Sequence, residues 1–97
     1  MVRYEDVLKE ELVEKAEILK VLGHPERLAI ALLLAEKEMC VKDLVEVLGV
    51  SQPKVSQHVG IMKELGLLSF RKEGTRTLYR LLDGEAREIL EILFDEE

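Results

Sequence analysis

The sequence predicts a mainly α fold carrying one two-stranded β-hairpin, in the order α-α-α-α-β-β-α. Three observations predict it. Apolar residues recur at spacings of three and four along most of the 97 residues, the period of helices that bury one face. Between Leu68 and Leu81 the period drops to two around a glycine, as in a hairpin. Glycine, or a histidine-proline pair, stands at most of the breaks between periodic stretches, so the chain carries its own stop signals.

The first helix is predicted from Tyr4 to Leu22, where Leu8, Leu12, Ala16, Leu19 and Leu22 form the stripe. Val7, Val13, Ile18 and Val21 widen that stripe beyond what one neighbour needs. Two readings fit the extra width: a broad intramolecular face, or a second subunit. Gly23 is placed to close the helix as a C′ residue. His24-Pro25-Glu26 opens the next helix, with His24 near the cap, Pro25 at N1 and the Glu26 carboxylate favoured by the dipole. The run from Leu28 to Ala35 is apolar nearly all round, which predicts a central buried helix.

Val41, Leu44, Val45 and Leu48 define a third, short helix ending at Gly49. Ser51 is a good N-cap for the fourth, and Pro53 sits in the first turn, where its missing N–H costs nothing. Val55, Val59 and Met62 form one face of that helix, while Gln52, Lys54, Ser56, Gln57 and Lys63 point elsewhere. Two helices joined by a short glycine-containing link, the second polar outside, make residues 41–65 a helix-turn-helix. The polar face has suitable chemistry for duplex DNA, because Gln and Ser reach base edges and Lys reaches phosphate.

Residues 67–82 read as a hairpin, with Lys72-Glu73-Gly74-Thr75 as its turn and Arg71, Lys72 and Arg76 around the tip. Beside a helix-turn-helix these bases have the placement of a wing that grips the phosphate backbone. Asp83 is expected to cap a last helix whose stripe is Ala86, Ile89, Leu90, Leu93 and Phe94. Phe94 is hard to bury in so small a monomer, so residues 4–22 and 84–94 are assigned to a two-fold interface. The whole chain, 1–97, is thus expected to be a single winged helix-turn-helix domain with a solvated Asp95-Glu96-Glu97 tail.

Composition agrees with one small core, at 47% hydrophobic residues, and a core of that size gains from oligomerisation. The net charge of −6 by itself argues against a polyanion as partner, but its distribution decides otherwise. Residues 51–80 carry six bases against two acids, whereas residues 81–97 hold seven acids and only Arg87. A basic block in an acidic chain orients one face toward a polyanion. A protein-interaction module on the same scaffold, working through the acidic last helix, is the alternative, and it has no need of that block.

One cysteine excludes an intramolecular disulfide and a cysteine-rich zinc finger. No leader-like start or membrane-length apolar run is present, so a cytoplasmic location without membrane contact is expected. Neither a nucleophile-histidine constellation nor a phosphate loop occurs, so no enzyme and no cofactor is expected. His24 has no His or Cys near it in sequence and is read as structural.

Four stretches together resemble the arsenic-repressor (ArsR/SmtB) family: Leu22-Gly23-His24-Pro25-Glu26-Arg27-Leu28, Met39-Cys40-Val41-Lys42-Asp43-Leu44, Gly49 to Val59, and Arg71-Lys72-Glu73-Gly74 with Tyr79-Arg80-Leu81. The resemblance spans about residues 8–94 and implies a homodimeric repressor that binds a roughly palindromic operator in double-stranded DNA and releases it for an inducer. It assigns the DNA-facing positions to Gln52, Lys54, Ser56, Gln57 and His58, and the wing to Arg71, Lys72 and Arg76. The family's inducer sites are altered here. One uses a Cys-Val-Cys pattern, which reads Cys40-Val41-Lys42 in this chain and puts an ammonium where a thiolate is needed. Another uses Asp-x-His with a further histidine pair; here it is Asp83-Gly84-Glu85, with no histidine after His58. No metal site is therefore expected, and the inducer is unknown. Cys40 is read as a small core residue, with oxidation or an intersubunit bridge as the other uses of a lone thiol.

Overall fold

The computed structural model of the chain describes Arg3 and residues 9–95. The positions Tyr4, Val7 and Leu8 of the predicted first helix, and Glu96 and Glu97 of the tail, lie outside the described residues. The elements are α1 (Lys9–Leu22), α2 (Pro25–Glu36), α3 (Val41–Leu48), α4 (Gln52–Glu64), β1 (Leu68–Glu73), β2 (Arg76–Leu81) and α5 (Glu85–Phe94). Their order is the predicted one.

The central helix is α2, which packs against α1, α4 and β2. Ile30, Ala31 and Leu34 are fully buried in it, and around them lie Leu44 of α3 and Val55, Val59 and Met62 of α4. The α4 face read from the i, i+4, i+7 spacing is thus the face that docks. Its burial stabilises the helix through apolar area and leaves the opposite polar side chains in solvent. At the far end Arg87 ties α5 to the rest, its Nη1 donating to the Ala35 carbonyl at 3.1 Å and its Nη2 to the Leu81 carbonyl at 2.8 Å.

The strands pair antiparallel from Leu68↔Leu81 to Glu73↔Arg76, closing on a two-residue turn with Gly74 at φ 65°. That left-handed conformation favours glycine. A third segment joins the sheet: Met39 N donates to the Tyr79 carbonyl at 3.1 Å and Tyr79 N to the Met39 carbonyl at 2.9 Å. Both backbone polar groups of Tyr79 are engaged by Met39, so the α2–α3 connection lies along the edge of β2 opposite β1. No described helix is long and apolar enough to cross a membrane.

Three helix ends differ from expectation. Gly23 is not left-handed; a Cβ there would stand 3.1 Å from the Leu19 carbonyl oxygen, a tight contact that favours glycine. Ser51 occupies the N-cap of α4, but its hydroxyl makes no capping bond. Asp83 is not the cap of α5: Gly84 is, at φ 152°, and the Asp83 carboxylate lies in solvent, paired with Arg87 at 3.0 Å. The positive φ explains the shift, since the sharp entry into α5 needs a residue without Cβ. His24 does cap α2, its Nδ1 accepting the Glu26 N–H at 3.1 Å.

Candidate nucleic-acid interface

Gly49, at φ 67°, ends α3 and lets the chain reverse into α4 within three residues. Because Val55, Val59 and Met62 are committed to the core, Gln52, Lys54, Ser56 and Gln57 are all exposed on one side of α4. Gln52 Nε2 lies 3.4 Å from Ser56 Oγ, one turn on, a contact weak enough to exchange for a base edge.

His58 does not belong to that face. It is 7% exposed and turned into the protein. Its Nε2 lies 2.8 Å from Glu26 Oε1, and its Nδ1 3.3 Å from Arg27 Nη1. Arg27 in turn donates through Nε to the Val21 carbonyl at 2.7 Å. One histidine therefore links α4 to the start of α2 and, through Arg27, to the end of α1. His58 is turned away from the DNA-facing side because it lies three residues after Val55 and four before Met62, on the docking side of α4.

The His24 and His58 rings approach to 4.7 Å between centroids, and with Glu26 their donor atoms lie within 4.8 Å of one another. Separation in sequence hid this cluster. A cation there would have to displace the hydrogen bonds these side chains already make. Arginine is donor only, so His58 Nδ1 accepts and Nε2 carries the proton that goes to Glu26. His24 Nδ1 accepts a backbone N–H, which again leaves the proton on Nε2. Neither imidazole offers a metal its Nε2 lone pair, and the Arg27 guanidinium adds positive charge beside them. The Glu26 carboxyl is held below its ordinary range, first by the hydrogen bond from His58 and then, against burial, by Lys54 nearby.

The other family-type metal positions fit no better. Cys40 is buried at the start of α3, its backbone N–H bonded to Asp43 Oδ2 at 3.1 Å. Lys42 is exposed, Asp83 pairs with Arg87, and Glu85 pairs with Lys15 at 2.6 Å. Zinc selects His and Cys, and these residues supply one thiol already inside the core. Excess Zn(II) is expected to leave the melting temperature unmoved; a rise would signal binding to the native fold and overturn this assignment.

On the wing Arg71, Lys72 and Arg76 are all exposed. Two of them are already engaged. Arg71 makes a two-pronged pair with Glu38, Nε to Oε2 at 2.8 Å and Nη2 to Oε1 at 2.9 Å. Arg76 Nη2 bonds Glu73 Oε1 at 2.9 Å, with Arg71 3.5 Å from the other oxygen. Each arginine raises its partner's tendency to stay ionised: Glu38 and Glu73 are both held below the ordinary carboxylate range, by hydrogen bonds from Arg71 and Arg76 respectively. Lys63, from the last turn of α4, sits 4.2 Å over the Phe70 ring. Sequence reasoning missed Glu38, since only the Met39–Tyr79 pairing brings residue 38 to the wing.

Comparison with known proteins places these features in a family. Residues 24–69 match the sequence model of "Bacterial regulatory protein, arsR family". The chain is similar to an uncharacterized HTH-type transcriptional regulator of Methanocaldococcus jannaschii, 40% identical over 87% of this chain and 96% of that one. Among solved structures it resembles the transcriptional repressor BigR from Xylella fastidiosa, with a TM-score of 0.82 and 32% identity over 97% of this chain and 95% of that one. It also resembles a homodimeric winged helix-turn-helix DNA-binding domain from Mycobacterium bovis, a possible ArsR-family regulator, at TM-score 0.80 and 28% identity over 96% and 86% of the two chains.

Proposed function

Since this chain belongs to the ArsR family of transcriptional regulators, we propose that it works as a homodimeric repressor that reads double-stranded DNA with α4 and holds the backbone with its wing. The observation that carries this reading is the division of α4: a fully buried apolar face and an opposite exposed face of Gln52, Lys54, Ser56 and Gln57. Gln52, Ser56 and Gln57 supply base contacts, and Lys54, Lys72 and, once released, Arg71 and Arg76 supply phosphate contacts. A dimer supplies two copies of α4. In a two-fold complex they enter successive major grooves about 34–36 Å apart, so the operator is a roughly palindromic pair of half-sites.

The dimer reading rests on apolar surface that the single chain leaves bare. Val13 and Leu19 of α1 and Ile92, Leu93 and Phe94 of α5 are exposed, Ile92 at 80%. Leu32, Leu33, Leu90 and Phe94 line a groove between α2 and α5. Helices α1 and α5 of two copies would cover both surfaces.

The test is selection of bound duplexes from a random pool, followed by salt titration on the winner. On that duplex Gln57→Ala is expected to cost about 1–3 kcal/mol and to relax one base position. Lys72→Ala should instead weaken all sequences alike and lower the salt slope by about 0.9. An unchanged base preference removes Gln57 from the specificity set. No duplex binding at low salt would favour the protein-interaction module instead.

A further inference from the structure

Arg71 is a wing base with a fork suited to phosphate, yet the Nε–Nη2 edge of that fork is already taken. The Glu38 carboxylate takes both Nε and Nη2 at 2.8 and 2.9 Å, the same bidentate geometry a phosphate would use. This pair reaches across the sheet. Arg71 lies opposite Leu78 on β1, while residue 38 precedes the Met39 segment on the far edge of β2, so the arginine side chain must pass over β2 to meet it. Arg76 is held in a similar way by Glu73. Lys72, between them, makes no ion pair among the described residues.

A guanidinium cannot satisfy two bidentate anions through the same edge. We propose that Glu38 is a built-in competitor of DNA phosphate for Arg71, a residue of the α2–α3 connection that limits the affinity of the wing. The inference rests on the DNA-binding reading above. In the free protein Glu38 holds Arg71 back from the tip. On DNA Arg71 divides between the two anions, so it adds little net affinity or salt dependence while Glu38 is present. The connection that carries Glu38 also runs between the central helix and α3, so any movement of that connection changes how tightly the wing holds DNA. Glu38 is a positioning residue in this scheme: it touches Arg71, not the nucleic acid.

If the pair merely braced the wing, breaking it would weaken DNA binding. The competitor scheme requires the opposite sign. Five variants are compared with the wild type on the duplex that the wild type itself selects from a random pool. Glu38→Gln is expected to tighten binding by about 5- to 10-fold and to steepen the dependence of log K on log salt by about 0.9, the signature of one added phosphate contact. Glu38→Asp keeps the net charge but withdraws the carboxylate by one methylene, and should show part of the gain. Arg71→Ala alone should change affinity less than about 3-fold, and in the Glu38→Gln background it should abolish the gain. Glu46→Gln, which removes an exposed acid from neighbouring α3, controls for net charge. The proposal is overturned if Glu38→Gln binds no tighter than Glu46→Gln, or if its gain survives Arg71→Ala. Loss of binding in Glu38→Gln with an unchanged melting curve would likewise overturn it, in favour of a brace. A wild type that binds no duplex at low salt removes the DNA-binding reading itself, and the competition falls with it.

Discussion

Leu93→Glu is expected to convert the protein to a monomer and to weaken its binding to a two-half-site duplex by about 100- to 10,000-fold. The factor is the avidity gained when two linked sites engage one ligand. Leu93 is 60% exposed on the last full turn of α5, beside Ile92 and Phe94, so nothing in the monomer resists a carboxylate there. In a two-fold interface the same carboxylate would meet its own copy, or apolar surface, without a cation to pair. The folded monomer should therefore survive, with an unchanged circular dichroism spectrum, and bind a single half-site as the wild type does. Sedimentation equilibrium and titration of one-site and two-site duplexes check it. A variant that remains dimeric would move the interface away from α5.

His58→Ala is expected to have the largest effect on the fold among substitutions near the DNA-facing helix, about 2–3 kcal/mol, or roughly 10 °C or more in melting temperature. The imidazole uses both nitrogens, on Glu26 and Arg27, and joins α4 to the start of α2. Its removal leaves a half-buried carboxylate and a guanidinium without their partner and opens space beside Val59. His58→Gln places an amide N–H within reach of Glu26, so that substitution should recover part of the loss. DNA affinity should fall with stability in both variants, because α4 loses a fixed orientation on α2. An unchanged melting temperature in His58→Ala would show that apolar contacts alone orient the helix.

The residues behind these two outcomes are not equally visible in the chain. The apolar end of α5 is legible, because Leu93 and Phe94 continue the stripe of Ile89 and Leu90 at helical spacing. The role of His58 is not. Its spacing from Val55 and Met62 marks the docking side, but the family pattern places it among DNA-facing residues, and only the meeting of residues 26, 27 and 58 shows what it binds. Glu38 is invisible for the same reason: residues 38 and 71 touch across a sheet that the sequence spacing does not describe.

The helix caps show the other limit of local reading. Ser51 and Asp83 have good cap chemistry, and neither side chain caps its helix. A cap depends on backbone angles set by the segments on either side, and at Gly84 the chain enters α5 through a conformation that asparagine or aspartate rarely adopts.

What the sequence by itself determined was the element order, the buried faces of α2, α3 and α4, and the gathering of bases on α4 and the hairpin. Those features follow from periodicity and composition, which are local and additive along the chain. Tertiary structure alone decided which of the polar residues on that basic block are free. Packing turned His58 inward and carried Glu38 to the wing, where its carboxylate meets Arg71. Ion pairs and hydrogen bonds act over about 3 Å, and proximity at that range between residues far apart in the chain exists only after the core has folded.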